Sequence, residues 1–344
     1  MKRHRRLMAL GVVAAGLLLI ASVTVLWADT AGSLAKAQQL YGEGKFGEAI
    51  DLLTTLAKDQ QLSDADAKTA YLLLAKASAG KNFLDQAEIY LKKILEIDPK
   101  FELNIKVEPP QLRNVWFKVD EERKKNGPPE KADPGVKTLA VLYFENNSIV
   151  DKQALDPLSK GLADMLITDL AKISGLQVVE RERIQYILDE IKLEQSEYFN
   201  EKSAVRVGKL LGAHVLVMGG FIKSDKKTIR IDARLIKTET GELIKADKVE
   251  GNPKKLAQLE GELAIKIASD LNIAVAEKEK AAIHADGGQP IEAVLAYTRG
   301  LNFEDEQKFA EAYAAYKEAL AVYPKLDAAK DRMSALGPLV AMGG

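Results

Sequence analysis

The stretch GGFIKSDKKTIRIDARLIKTETGEL, Gly219 to Leu243, reads as strand, turn, strand, turn. Thr228 to Ile236 is the second of its strands. Thr238 to Glu242 is a tight turn in which Gly241 takes a positive φ at little cost. Upstream lies a buried strand at His214 to Ile222, whose Gly219-Gly220 pair marks a close backbone approach or a bulge. The spacing and following Lys of a phosphate loop are absent there. Downstream come a strand at Glu242 to Val249 and a helix at Pro253 to Leu271 with Leu256, Leu259, Leu263 and Ile267 on one side.

Further upstream, Thr138 to Phe144 (TLAVLYF) is an apolar run of strand length, buried on both faces. Asp156 and Pro157 open a helix as N-cap and first-turn residue. That helix carries Leu158, Leu162, Met165, Leu166, Leu170 and Ile173 on one face and ends at Ser174-Gly175. A strand at Leu176 to Val179 and helices at Arg181 to Ile191 and Ala204 to Leu211 complete the alternation. The fold class expected is α+β to α/β, a mixed sheet with parallel strands first and an antiparallel meander at one edge.

At 344 residues the chain has room for two or three domains. Its 49 Lys and Arg nearly cancel its 50 Asp and Glu, and after residue 6 no long run of one sign occurs, so nucleic acid is not an expected partner. MKRHRR followed by the apolar Leu7 to Trp27 has the pattern of an export signal. The apolar run is long enough to span about 30 Å as a helix, and Leu26 spoils the small-x-small site before Ala28. A cleaved signal and a retained inner-membrane anchor both stay open, and both place the body in the periplasm. Membrane contact is expected only through that segment. With no cysteine in the chain, a lipid-modified N-terminal Cys, disulfides, thiol catalysis and Cys-ligated metal are excluded.

Ser33 to Asp98 has helical periodicity. Ala37, Leu40, Ala49 and Leu53, with a turn at Gly44 to Phe46, and then Ala75, Ser78, Ala87 and Leu91, ending at Pro99, resemble the tetratricopeptide family. Gly300, Phe303, Ala312, Tyr316, Ala319 and Pro324 repeat the pattern with better fidelity near the C terminus. Roughly three such repeats are needed for an independent stack, so a capping helix is expected at Pro110 to Lys124, and the last repeat packs on Leu326 to Leu336. The resulting division is a signal or anchor at 1–28, helical repeats with a cap at 31–125, a Pro- and Gly-rich linker at 126–136, the α/β domain at 137–275, a second linker at 276–290 and a C-terminal repeat at 291–337. All-α tetratricopeptide-like hairpins thus flank the α/β domain.

In the α/β domain, TLAVLYFENNS, GLADMLITDLAKISGLQVVERERIQYILDE, KLLGAHVLVMGGFI and RIDARLIKTETGELI stand in an order that resembles the CsgG-like (curli production assembly/transport component) family. The resemblance implies an extracytoplasmic protein that assembles into rings. It also implies, in pore-forming members, membrane hairpins inserted near Ile222–Thr228 and after Val249. A spanning strand needs about 9 to 11 residues. Lys223 to Lys227, with three lysines and an aspartate, and Glu250 to Asn252 are too short to hold such a hairpin. An export channel is therefore not expected.

His4, His214 and His284 form no ligand pair, and no G-x-S-x-G occurs, so no catalytic, metal or cofactor site is expected. The charges of VVERERIQ, and carboxylate pairs such as Asp164 with Asp169 or Glu180 with Glu182, read as solvated helix faces. Two functions remain. One is a non-enzymatic envelope scaffold, a homo-oligomer through its α/β domain, docking protein partners through its repeats, with Tyr41, Tyr71, Tyr297 and Tyr316 as candidate groove residues and core packing as their plainer reading. The alternative is a periplasmic small-ligand or peptide sensor, with Asn146, Asn147 and Ser148 as polar hooks after the first strand.

Overall fold

The computed structural model describes residues 30–58, 62–126, 136–193 and 200–343. The expected export segment, and residues 127–135 of the first expected linker, lie outside them. Among the described residues no helix is long and apolar enough to cross a membrane. The chain forms two compact units, one drawing on residues up to Asn104, Gln111–Val119 and the chain end from Gly337, the other on Ile105–Pro110 and Asp120–Leu336.

The first unit holds helices α1 (30–42), α2 (Phe46–Leu56), α3 (Asp64–Gly80) and α4 (Leu84–Ile97). To these it adds residues 111–119 of α5 (Pro110–Asn126). Ser63 caps α3, its hydroxyl accepting from the Asp66 amide at 3.1 Å. Ala37, Leu40, Ala49, Leu53, Ala75, Ser78, Ala87 and Leu91 are all buried. Small residues there let helices approach closely: a Cβ on Gly80 would fall 2.5 Å from the Phe46 ring, which is itself buried. Gly44 turns between α1 and α2 at φ +72°, and a Cβ there would meet the Met342 backbone. Burial of a side chain such as Phe46 or Leu53 stabilises the unit by about 1.5–3 kcal/mol.

The second unit is built on five strands: β1 (Lys137–Asn146), β2 (Leu176–Val178), β3 (Val215–Lys223), β4 (Ile229–Lys237) and β5 (Leu243–Gly251), in the order β2-β1-β3-β4-β5. β1 runs parallel to β2 and β3, and β3, β4 and β5 form an antiparallel meander. All five expected strands are present. The unit also holds helices α6 (Lys152–Leu155), α7 (Leu158–Leu170), α8 (Arg181–Glu190), α9 (Glu201–Leu210), α10 (Leu256–Asp270), α11 (Glu277–Ala285), α12 (Ile291–Asp305), α13 (Phe309–Val322) and the part of α14 (Asp327–Gly343) up to Leu336; α7, α8, α9 and α10 pack on the sheet.

Strand alternation assigns the helices to faces. Gly208 of α9 abuts Leu216, whereas Leu259 of α10 abuts Gly251, the neighbour of Val249 on the opposite face. Gly219 is required by the sheet: a Cβ there would overlap the Asp232 carbonyl and lie 2.9 Å from Phe144. Gly161 of α7 similarly admits Thr298 of α12, and Gly300 admits the Tyr316 ring.

Two readings need correction. The second linker, 276–290, is mostly helix, because Ile283 of α11 is buried beside Gly261 of α10 and Glu279 ties the helix to Ser174. Asp156 does not cap α7. Its carboxylate instead accepts from Asn146 Nδ2 at 2.6 Å, and α7 begins after Pro157 without a side-chain cap.

Candidate functional site

Asn146 and Ser148 are not free hooks. The Asn146 amide donates to the Lys152 carbonyl at 2.8 Å and to Asp156, and its Oδ1 accepts from the Ser148 amide at 3.1 Å. Ser148 is buried, its hydroxyl accepting from the Lys223 amide at 3.1 Å. The loop extends the β1–β3 ladder, with Asn147 N donating to the Phe221 carbonyl and Ile149 N to that of Lys223. Of the three expected hooks, Asn147 is the exposed one, and it lies next to Gly220. The ligand-loop reading is corrected for Asn146 and Ser148, whose polar groups hold the turn.

The tyrosines divide as well. Tyr41, Tyr297 and Tyr316 are buried and make core contacts, the plainer of their two readings. Tyr297 donates to Asp164 Oδ2 at 3.0 Å, and Tyr316 to Glu304 Oε2 at 2.7 Å. Tyr71 alone stays accessible, half-buried and stacked on Tyr90 at 6.2 Å, with Lys93 Nζ 5.1 Å from its ring centre.

The residues that sequence reasoning misplaced are Arg181 and Glu182. Instead of a solvated face they form the centre of a buried ion network within the second unit, 1% and 7% exposed. Arg181 donates to Asp305 at 3.0 Å, which also accepts from Lys160 at 2.6 Å. Arg332 of α14 bridges Glu182 and Glu304, the latter at 3.0 Å. Lys160 also lies over the Tyr143 ring, 5.4 Å from its centre. Asp169 is likewise buried, paired with Lys172 at 2.7 Å.

Electrostatically the network is uneven. Burial pushes both Asp305 and Asp164 upward, but Arg181 and Lys160 outweigh it at Asp305, whose carboxyl ends below the usual range. At Asp164 burial wins over Arg181 and Arg332, and its carboxyl is raised. Asp164 also lines two cavities of about 190 and 180 Å³, which share Thr168, Tyr297 and Ala328 as further lining. The first is bounded by Met165, Val294 and Leu326 with Glu260, the second by Glu180, Glu182 and Arg332. Among the described residues no cluster of His, Cys, Asp and Glu is arranged to hold a metal.

At the points where the family resemblance implies hairpins, β3 and β4 are joined by residues 224–228, and β5 passes at Asn252 into a single 3-10 turn at Pro253–Lys255. Both strands of the β3–β4 hairpin are nine residues long.

No curated protein matches this chain. Among solved structures, it is similar to the LpoB C-terminal domain from Salmonella enterica at 14% identity, covering 35% of this chain and 87% of that one, TM-score 0.25. The LpoB C-terminal domain from Escherichia coli gives 14% identity, 33% and 81% coverage and TM-score 0.25. Lipoprotein GNA1162 from Neisseria meningitidis gives 12% identity, 40% and 98% coverage and TM-score 0.31. From β1 through the β3–β4 turn, residues 131–228 match the family model for the curli production assembly/transport component CsgG.

Proposed function

We propose that this protein is a non-enzymatic accessory of the cell envelope, exported to the periplasm, that self-associates through its α/β unit and docks protein partners through its helical hairpins. The observation that carries this reading is the CsgG family match over 131–228, on a sheet whose two hairpin insertion points are a short turn and a 3-10 turn. A protein of this kind uses the assembly fold without adding strands to a barrel, so it acts beside an envelope transport machine and does not form the conduit. The hairpins are read as tetratricopeptide-type docking elements, with Tyr71, Tyr90 and Lys93 offering an aromatic, cationic contact on the first unit.

The test is the mass of the exported full chain by size exclusion with light scattering over a hundredfold concentration range, paired with crosslinking in the envelope of intact cells. A discrete oligomer that retains one envelope protein supports the reading. A monomer that crosslinks to nothing overturns it.

A second reading, a small-ligand or peptide sensor, is favoured by one observation: the paired cavities around Asp164. Under it, the chain stays monomeric and its thermal midpoint rises with a small molecule, and Asp164→Leu abolishes that rise.

A further inference from the structure

We infer that β5 pairs antiparallel with β5 of a second copy of this chain, with Ala246 facing Ala246 of that copy. The inference rests on the self-association reading above and names its surface.

β5 ends the sheet, and six of its nine residues are exposed, Val249 alone being buried. Leu243 is 58% and Ile244 41% exposed, so the strand presents apolar side chains along with an unpaired backbone edge. A second copy related by a twofold axis normal to the sheet keeps each residue on its own face, so one residue of β5 must oppose itself.

Charge then selects the register. Centring on Lys245 or Lys248 opposes lysines, and centring on Asp247 opposes aspartates. Centring on Ala246 opposes none. It sets each Lys245 against Asp247 of the other copy, twice, and pairs Leu243 through Val249, seven of the nine residues. Centring on Val249 sets Lys248 against Glu250 but pairs only Asp247 through Gly251, five residues, and leaves the exposed Leu243 and Ile244 outside.

Asp247 lies toward α10, where Asp270 sits. Their contact, first by hydrogen bonding and then by burial and repulsion, raises the Asp247 carboxyl. Within the chain Lys245 reaches Asp270 at 3.4 Å and Lys266 also attracts Asp247; a second Lys245 from the other copy would add a further cation against the remaining repulsion of this acidic pair. Opposing the pairing, Lys266 donates to the Lys248 carbonyl at 2.9 Å and guards that part of the edge, so this flexible side chain must swing aside.

The chain has no cysteine, so a single introduced thiol reports the register directly. In the full chain, expressed and oxidised in intact cells, Ala246→Cys should run mainly as a disulfide dimer, since opposed residues in such a pair stand about 4.5–5.5 Å apart. Gln177→Cys, exposed on the opposite edge strand, should stay monomeric. Adding Lys245→Asp to Ala246→Cys should lower the dimer severalfold, and adding Asp247→Lys as well should restore it. Light scattering separates the two readings. An oligomer in which Val249→Cys crosslinks, or in which Ala246→Cys does not, overturns this register and leaves self-association standing. A monomer at every concentration overturns both.

Discussion

Arg332 and Arg230 carry the same guanidinium within one compact unit, and each sits against carboxylates. Arg230 Nε lies 2.8 Å from Asp232 on the sheet face, with side chains 44% and 39% exposed. Arg332 joins Glu182 and Glu304 where all three are nearly sealed from water. The surface pair contributes about 0–1 kcal/mol, because water already solvates both partners and the side chains lose freedom to meet. The buried trio is conditional: intact, it offsets its desolvation, and broken, it strands a charge. It also ties α14 and α12 to α8, helices far apart in sequence. Water, more than residue type, decides what a charge does here.

The strongest way to break the comparison is to remove each arginine. Arg332→Ala should cost about 3–5 kcal/mol in urea unfolding, since Glu182 and Glu304 lose their counter-ion while buried. Arg230→Ala should stay within about 1 kcal/mol. Arg332→Met combined with Glu182→Leu and Glu304→Gln should recover most of the loss, the Gln keeping an acceptor for Tyr316. If the single and triple variants are equally unstable, shape and not charge governs the site.

A smaller effect separates charge from packing at the same helix contact. Gly161→Ala places a Cβ onto the Thr298 methyl, and this overpacking should cost about 1–3 kcal/mol even though alanine favours helix. Thr298→Ser removes that methyl, so the double variant should regain part of the loss by thermal unfolding.

The comparison sharpens inside the network itself. Asp305 is held below the usual range, so it stabilises the fold above its unfolded value and loses that contribution as pH falls. Asp305→Asn should therefore cost about 1.5–3 kcal/mol at neutral pH. Asp164 is raised, so its ionised form opposes folding and its contribution improves as pH falls through the raised value. Asp164→Asn should be within about 1 kcal/mol of the parent at neutral pH and should flatten that acid-side gain in urea unfolding, while keeping an oxygen acceptor for Tyr297.

These contrasts explain what the sequence could and could not disclose. Strands β1, β3 and β4 were legible because each owes its burial to its own apolar run or its own alternation, as in Ile229 to Ile236. The CsgG likeness was legible because its words fall in order along the chain. The burial of Glu182 was not, since its partner Arg332 lies 150 residues away and nothing local distinguishes it from a solvated glutamate. A hint existed in Glu304, which stands one helical turn after Gly300, a position expected to be buried by the repeat resemblance. The segment 276–290 failed for the opposite reason: Gly287, Gly288 and Pro290 coloured the whole, whereas Glu277 to Ala285 is helical by its own composition. Asn146 to Ser148 had the residue types of a binding loop, but those same types close turns, and here they do.

Glu279 offers the smallest effect and the cleanest sign. Its carboxylate accepts from the Ser174 hydroxyl at 2.6 Å, from the Ala276 amide at 2.9 Å and from the Ser174 amide at 3.0 Å, and these bonds pull it down to about 2. A depressed acid stabilises the fold above its unfolded value near 4.5 and loses that contribution as pH falls from there toward about 2. Glu279→Gln keeps an oxygen for Ser174 but sets an NH₂ against the Ala276 N–H, so it should weaken the fold at pH 7 and lose amide-exchange protection at Ala276. As pH drops below about 4.5 the gap between parent and variant should close, because the parent carboxylate is then protonated in the unfolded chain and increasingly in the folded one. A gap that stays constant between pH 7 and pH 3 would assign the effect to shape alone, and would place this anchor with the surface pairs rather than with the charges that hold the unit together.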